Sequence, residues 1–241
     1  MKKLTTLALA GSLLAASSAA MAWESENGAH SITANVAMTS DYVWRGYSQT
    51  DEEMAIQGGF DYAHSSGIYI GTWASNIDFG SDASIEVDVY GGWATEFNGW
   101  GIDLGLLQYM YPSESDLDFL EFYGSVSYSI ATVGVAYSSD VYGSSDTGIY
   151  YNLGLDYGFD EGAASGLGLK AGVGYYDYDE EVFGNPDVDS AVDYYVGAYY
   201  DIAGSGFVAD VTYYDTDSDG ETLYGENLAD GRFVFTISKS M

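Results

Sequence analysis

Residues 84–95 read SIEVDVYGGWAT. Ile85, Val87, Val89, Gly91 and Trp93 make one row; Ser84, Glu86, Asp88, Tyr90 and Gly92 make the other. A period of two is the signature of an extended strand with an apolar medium on one side only. The pattern returns at 190–202, where Val192, Tyr194, Val196, Ala198, Tyr200 and Ile202 oppose Asp193, Tyr195, Gly197, Tyr199 and Asp201. It returns again at 149–159, where Ile149, Tyr151, Leu153 and Leu155 oppose Tyr150, Asn152, Gly154 and Asp156.

Twelve such segments are predicted, at 31–45, 54–63, 67–77, 84–95, 100–111, 117–129, 131–140, 147–159, 167–178, 190–202, 206–215 and 231–240. Segment 100–111 is the least regular, because Leu106-Leu107 interrupts the alternation. No helical period of comparable strength appears. The connections carry a second signal. Most of those after odd-numbered segments are long and polar, such as GYSQTDEE, EEVFGNPDVD and TDSDGETLYGENLAD. Most of those after even-numbered segments are short, such as HSS, FNG and AGS; the break near Ile130 lacks turn residues. This parity predicts an all-β fold, a transmembrane antiparallel up-and-down barrel of twelve strands with both termini on the periplasmic side. A soluble sandwich also alternates, but it predicts neither the parity nor aromatics gathered at strand ends. Here Tyr42 and Trp44 end the first segment, Trp93 and Trp100 flank FNG, and Tyr157 and Phe159 lie near another short turn. Such positions suit the two interfacial girdles of a membrane barrel.

Composition agrees. With 31 Gly, 24 Tyr and 2 Pro, the chain suits long strands that must all pair. The start, MKK followed by LTTLALAGSLLAASSAA and the Ala20-Met21-Ala22 pattern, reads as a secretory signal peptide over residues 1–22. Residues 23–241 are then one barrel domain. Cleavage leaves four basic residues, Arg45, Lys170, Arg232 and Lys239, against 37 acidic ones, a formal charge of −33. A nucleic acid needs a basic footprint, so that class of partner is excluded. There is no Cys, hence no disulfide and no thiolate metal site. No stretch of the mature chain is long and uncharged enough for a transmembrane helix. The last segment alternates Phe233, Phe235 and Ile237 but closes on Met241, where such strands commonly end on an aromatic residue.

A charge in hydrocarbon costs several kcal/mol, so the apolar rows face lipid and the polar rows face the lumen. In the first segment this parity sends Ile32, Val36, Met38, Tyr42 and Trp44 outward, and Asp41 and Arg45 inward. The inward candidates are Asp41, Arg45, Gln57, Asp61, Glu86, Asp88, Asp103, Glu121, Asp156, Lys170, Asp193, Asp201, Asp210 and Arg232. Three of the four basic residues thus fall among acids. Two readings stand side by side: they neutralise buried carboxylates and brace the wall, or they face acids across a constriction.

Catalysis finds little support. The only histidines, His30 and His64, lie before the first segment and in a short turn, where neither serves a Ser on the wall. The expected function is a porin-like channel for passive diffusion of small polar solutes, with a preference for cations because carboxylates line it. The alternative is a non-conducting structural or receptor-type barrel. Expected partners are outer-membrane lipid and small solutes or cations; a homo-oligomer stays open as an assembly. No cofactor is required. One candidate ion site stands out: residues 215–226, DTDSDGETLYGE, match the calcium-loop pattern D-x-D-x-D-G-x₅-E. Asp215, Asp217 and Asp219 would give side-chain oxygens, Glu221 its carbonyl and Glu226 a bidentate carboxylate. Leu223 stands at the ninth position without an oxygen, and no flanking helices are expected.

Residues 39–79 also carry a family pattern: Ser40-Asp41-Tyr42, Arg45-Gly46, Ser48-Gln49-Thr50, Gln57-Gly58-Gly59, Asp61-Tyr62, Trp73 and Ser75-Asn76. In these residues, and in length, leader and the C-terminal ISKS, the chain resembles the Gcw_chp family of proteobacterial exported proteins, also called the TorF-type porin family. Met54 stands where Pro is expected. The resemblance implies an outer-membrane barrel and a pore, and adds little about the solute.

Overall fold

The computed structural model describes residues 23–144, 146–179, 188–202 and 205–241. The expected signal peptide, residues 1–22, lies outside them, as does most of the expected loop 180–189. Twelve long strands follow one another: β1 (His30–Thr39), β2 (Ala55–His64), β3 (Ile68–Asn76), β4 (Ile85–Phe97), β5 (Trp100–Met110), β6 (Phe119–Tyr128), β7 (Ala131–Ser138), β8 (Gly148–Gly158), β9 (Leu167–Tyr178), β10 (Ser190–Ile202), β11 (Phe207–Thr216) and β12 (Arg232–Ser240). Each pairs antiparallel with the next, and β12 returns to β1 with Thr236 opposite Thr39 and Ser240 opposite Asn35. The sheet is therefore a closed barrel with no long free edge. The rest of that edge of β1 is covered by Trp23–Glu24, which pairs with Ile32 and Ser31. The length suits a bilayer. A ten-residue strand such as β2 rises roughly 33 Å and, tilted by about 40°, spans roughly 25 Å of apolar band.

The two rows of each strand separate as their chemistry demands. Phe60, Val89, Leu104, Phe122, Val133, Leu153, Val196 and Phe235 stand on the outer surface. Trp93, Trp100 and Tyr157 lie there too, near the short-turn end. Leu106 and Leu107 do not break the alternation: Leu106 points out, while Leu107 points in among aromatic side chains. The turn at Ser129-Ile130 closes without Gly, with Ser129 taking a positive φ of 56°.

Gly and Tyr are used together on the inner face. Tyr69 lies opposite Gly92, Tyr90 opposite Gly71, Tyr123 opposite Gly105, Tyr195 opposite Gly172 and Tyr199 opposite Gly168. In each case the ring covers the space a Cβ would take; at Gly172 it would meet the Tyr195 ring at 2.4 Å. Large flat side chains are thereby laid against the wall instead of projecting across the lumen.

The main departure from the sequence expectation is the first segment. β1 ends at Thr39, not at residue 45. The Thr39 hydroxyl bonds the Asp41 carbonyl at 2.8 Å, and the Asp41 carboxylate accepts from Ser48 Oγ at 2.6 Å and Thr50 Oγ1 at 2.9 Å. These bonds turn the chain into the lumen. There Val43–Trp44 pairs with Tyr47–Ser48 as a small hairpin around Arg45-Gly46. Tyr42 and Trp44, expected on the outer surface, are 3% and 4% exposed inside the barrel. Alternation continued past the strand because a short hairpin alternates too.

Candidate functional site

The interior divides into two halves. At the long-loop end the infolded hairpin meets the wall. Trp44 packs edge-on against Tyr109, Tyr142 and Tyr176, and Tyr47 stacks on Tyr224 with ring centroids 4.0 Å apart. Tyr224 belongs to α1 (Ser218–Tyr224), which with α2 (Glu226–Ala229) forms the last long loop. Leu107, Phe119, Tyr176 and Tyr178 of the wall are buried in the same cluster. At this end the lumen is filled by aromatic side chains.

Most charges of this half are bonded into the packing. Arg45 Nη2 donates to both oxygens of Glu121, at 2.7 and 2.9 Å, and Glu121 also accepts from Tyr109 at 2.9 Å. Glu86 accepts from Tyr42 at 2.8 Å and Tyr111 at 3.0 Å. Burial pushes the Tyr42 phenol well above its ordinary range, helped by the Glu86 and Asp88 charges, so it stays a donor. Arg232 reaches Asp41 at 3.1 Å and Glu52 at 3.2 Å, tying β12 to the base of the infolded loop. Asp193 accepts from Tyr150 at 2.9 Å.

At the short-turn end most of the inward side chains remain within reach of solvent. Asp61, Asp156, Asp201 and Asp210 are half-buried, as are Tyr69, Tyr123 and Tyr195, while Asp103 is buried. Here too tyrosines serve the carboxylates: Tyr90 donates to Asp61 at 2.6 Å, Tyr69 to Asp103 at 2.7 Å and Tyr199 to Asp156 at 2.8 Å. Lys170 pairs with Asp210 at 2.7 Å. His30 and His64 face each other across β1 and β2, rings 5.0 Å apart, at the rim of this end. The contact of His64 Nδ1 with Ser66 Oγ, at 2.8 Å, lies within one exposed turn.

All fourteen inward candidates thus sit on the inner side of the wall or on the infolded loop, and none is on the outer surface. Asp41, Arg45, Gln57, Glu86, Asp88, Glu121, Asp193 and Arg232 belong to the filled half. Asp61, Asp103, Asp156, Lys170, Asp201 and Asp210 belong to the solvated half. What the sequence missed is that Tyr42, Trp44, Tyr47 and Tyr224 come inward from loops. The dipeptide Arg45-Gly46 between two aromatic rows was the available signal, since such a pair suits a tight hairpin turn.

The calcium pattern is corrected. Residues 215–226 do not form a liganding loop. Asp217 caps α1, accepting from Gly220 N at 2.9 Å, and also accepts from Val192 N at 3.2 Å. Asp215 accepts from the Tyr194 and Tyr213 hydroxyls, each at 2.8 Å. Gly220 is helical rather than at a sharp turn. Among the described residues no three Asp, Glu or His side chains are grouped to hold a metal ion.

A closed twelve-strand meander with an apolar exterior, a polar interior and long loops at one end defines a barrel of the outer-membrane porin type. The chain belongs to the Gcw_chp family, described as bacterial protein of unknown function, whose model matches residues 24–241. Among solved structures it is similar to the KdgM porin, at 10% identity and a TM-score of 0.53 over 87% of this chain and 96% of that one. The KdgM porin in complex with disordered oligogalacturonate gives 10% and 0.54 over 87% and 98%. The NanC porin gives 13% and 0.52 over 86% and 97%. At these identities the likeness is one of fold. No curated protein matches the chain.

Proposed function

We propose that this barrel resides in the bacterial outer membrane and acts as a channel for passive diffusion of small polar solutes, with a preference for cations and without catalysis. The observation that carries this reading is the short-turn half of the lumen. Its wall is closed, and three of its inward carboxylates, Asp61, Asp156 and Asp201, stay within reach of solvent. Carboxylates outnumber cations there, and side-chain rings of Asp and Glu favour cation passage. The KdgM and NanC likeness supports the porin architecture. The filled long-loop half favours a second reading, a non-conducting structural or receptor-type barrel.

Single-channel recording in planar bilayers decides between them. Discrete current steps whose reversal potential in a KCl gradient indicates cation selectivity are expected. Repeated insertions without current would favour the structural barrel, and anion selectivity would overturn the role given to the carboxylates.

A further inference from the structure

Arg45 lies at the tip of the infolded hairpin, with φ of 47° and Gly46 behind it at 91°. Its guanidinium carbon sits 4.2 Å from the centre of the Tyr150 ring and 4.7 Å from that of Tyr176. The loop's own Trp44 closes a third side at 4.2 Å. Glu121 receives Nη2 through both oxygens, and Tyr109 holds one of those oxygens in place. Tyr150, Tyr176, Glu121 and Tyr109 all belong to wall strands. The wall alone therefore provides two aromatic faces and an anchored carboxylate. That set suits a flat cation, which can stack and donate within its own plane, better than a round ammonium.

The occupant is incompletely satisfied. Among the described residues no hydrogen bond of good geometry reaches Arg45 Nη1, and the Tyr176 hydroxyl, beside the guanidinium, makes none of good geometry either. Asp88 Oδ1, on the same buried side of the lumen, also lacks a donor. Buried donors and acceptors left unmade each weaken the packing that contains them. An imperfect fit leaves the occupant open to exchange.

We propose that the Tyr109–Glu121–Tyr150–Tyr176 cage is a guanidinium-binding site filled in cis by Arg45, and that solutes carrying a monosubstituted guanidinium compete for it and displace the first loop from the lumen. The inference names a solute class for the channel and a plug that responds to it. It rests on the channel reading only for its effect on current.

The test is rescue of a vacated cage. Arg45→Ala protein, folded in detergent, is heated in the presence of ethylguanidinium or ethylammonium. Ethylguanidinium is expected to raise its melting midpoint saturably by several degrees, and that of the wild type, where it must first displace Arg45, by much less; ethylammonium should do little to either. Adding Glu121→Gln should abolish the gain. Should Arg45→Ala fail to fold, Gly46→Val vacates the cage without altering it. A Cβ at Gly46 would lie 2.4 Å from Thr216 Cγ2 and 2.6 Å from Asp193 Cβ, forcing the tip out. No rescue of either variant, or equal rescue by both ions, would overturn the site. Displacement is read as faster labelling by an impermeant maleimide of a cysteine replacing Asn152 in otherwise wild-type protein when ethylguanidinium is added; unchanged labelling would overturn the plug. Rescue and labelling without current in any variant would support the site and count against the channel reading.

Discussion

The two halves of this lumen are built from the same residue types and reach opposite outcomes. At the short-turn end, tyrosines lie flat over glycines of the neighbouring strand, and Asp61, Asp156 and Asp201 stay half-buried on the wall. At the long-loop end, tyrosines of the wall meet tyrosines and a tryptophan delivered by loops, and the space is filled. The difference lies in what enters from outside the wall. A row of Tyr and acid leaves room when its partner is Gly on the next strand, and leaves none when a loop brings a second aromatic layer. Both halves hold their cations against carboxylates, Arg45 on Glu121 in the filled half and Lys170 on Asp210 in the other, because burial of a carboxylate calls for a partner.

That contrast can be broken in stages. Trp44→Ala should show the largest effect, about 3–5 kcal/mol, as for other buried aromatic truncations. Urea unfolding of the refolded barrel measures it. A loss below about 1 kcal/mol, too small for a buried aromatic truncation, would return Trp44 to the outer surface. Val196→Lys places a charge on the outer face in mid-strand and should cost about 2–4 kcal/mol in folding into vesicles. In the open half, Gly172→Val drives a side chain into the Tyr195 ring and should cost about 1–3 kcal/mol as overpacking. Free accommodation there would mean that Tyr195 swings into the lumen without penalty. Asp217→Ala removes the cap of α1 and should cost about 0.5–2 kcal/mol. Its calorimetric response to calcium should match that of the wild type, and a calcium heat lost only in the variant would revive the liganding loop.

The wall was legible because its cause is local. A strand between an apolar and a polar medium must alternate, and the bounds of β9 and β10, Leu167–Tyr178 and Ser190–Ile202, are those the pattern predicted. Glu121, Asp193 and Asp210, given inward parity by the sequence, pair with Arg45, Tyr150 and Lys170. Two features were not legible. Tyr42 and Trp44 keep the outward parity of β1, and only the grip of Asp41 on Ser48 and Thr50 reverses their destination. That grip links residues seven and nine apart and leaves no periodic trace. The calcium pattern failed for a related reason. An Asp three residues before Gly is as good a helix cap as a ligand, and spacing alone does not separate the two.

The most direct test of the divided lumen is sided labelling. The chain has no Cys, so a single cysteine replacing Asn152, which points inward on β8 below the aromatic layer, reports alone. In vesicles of known orientation, an impermeant maleimide should react quickly from the short-turn side and slowly from the long-loop side. With Arg45→Ala added, both sides should react quickly. Equal and rapid labelling from both sides of the otherwise wild-type barrel would contradict the plugged long-loop half.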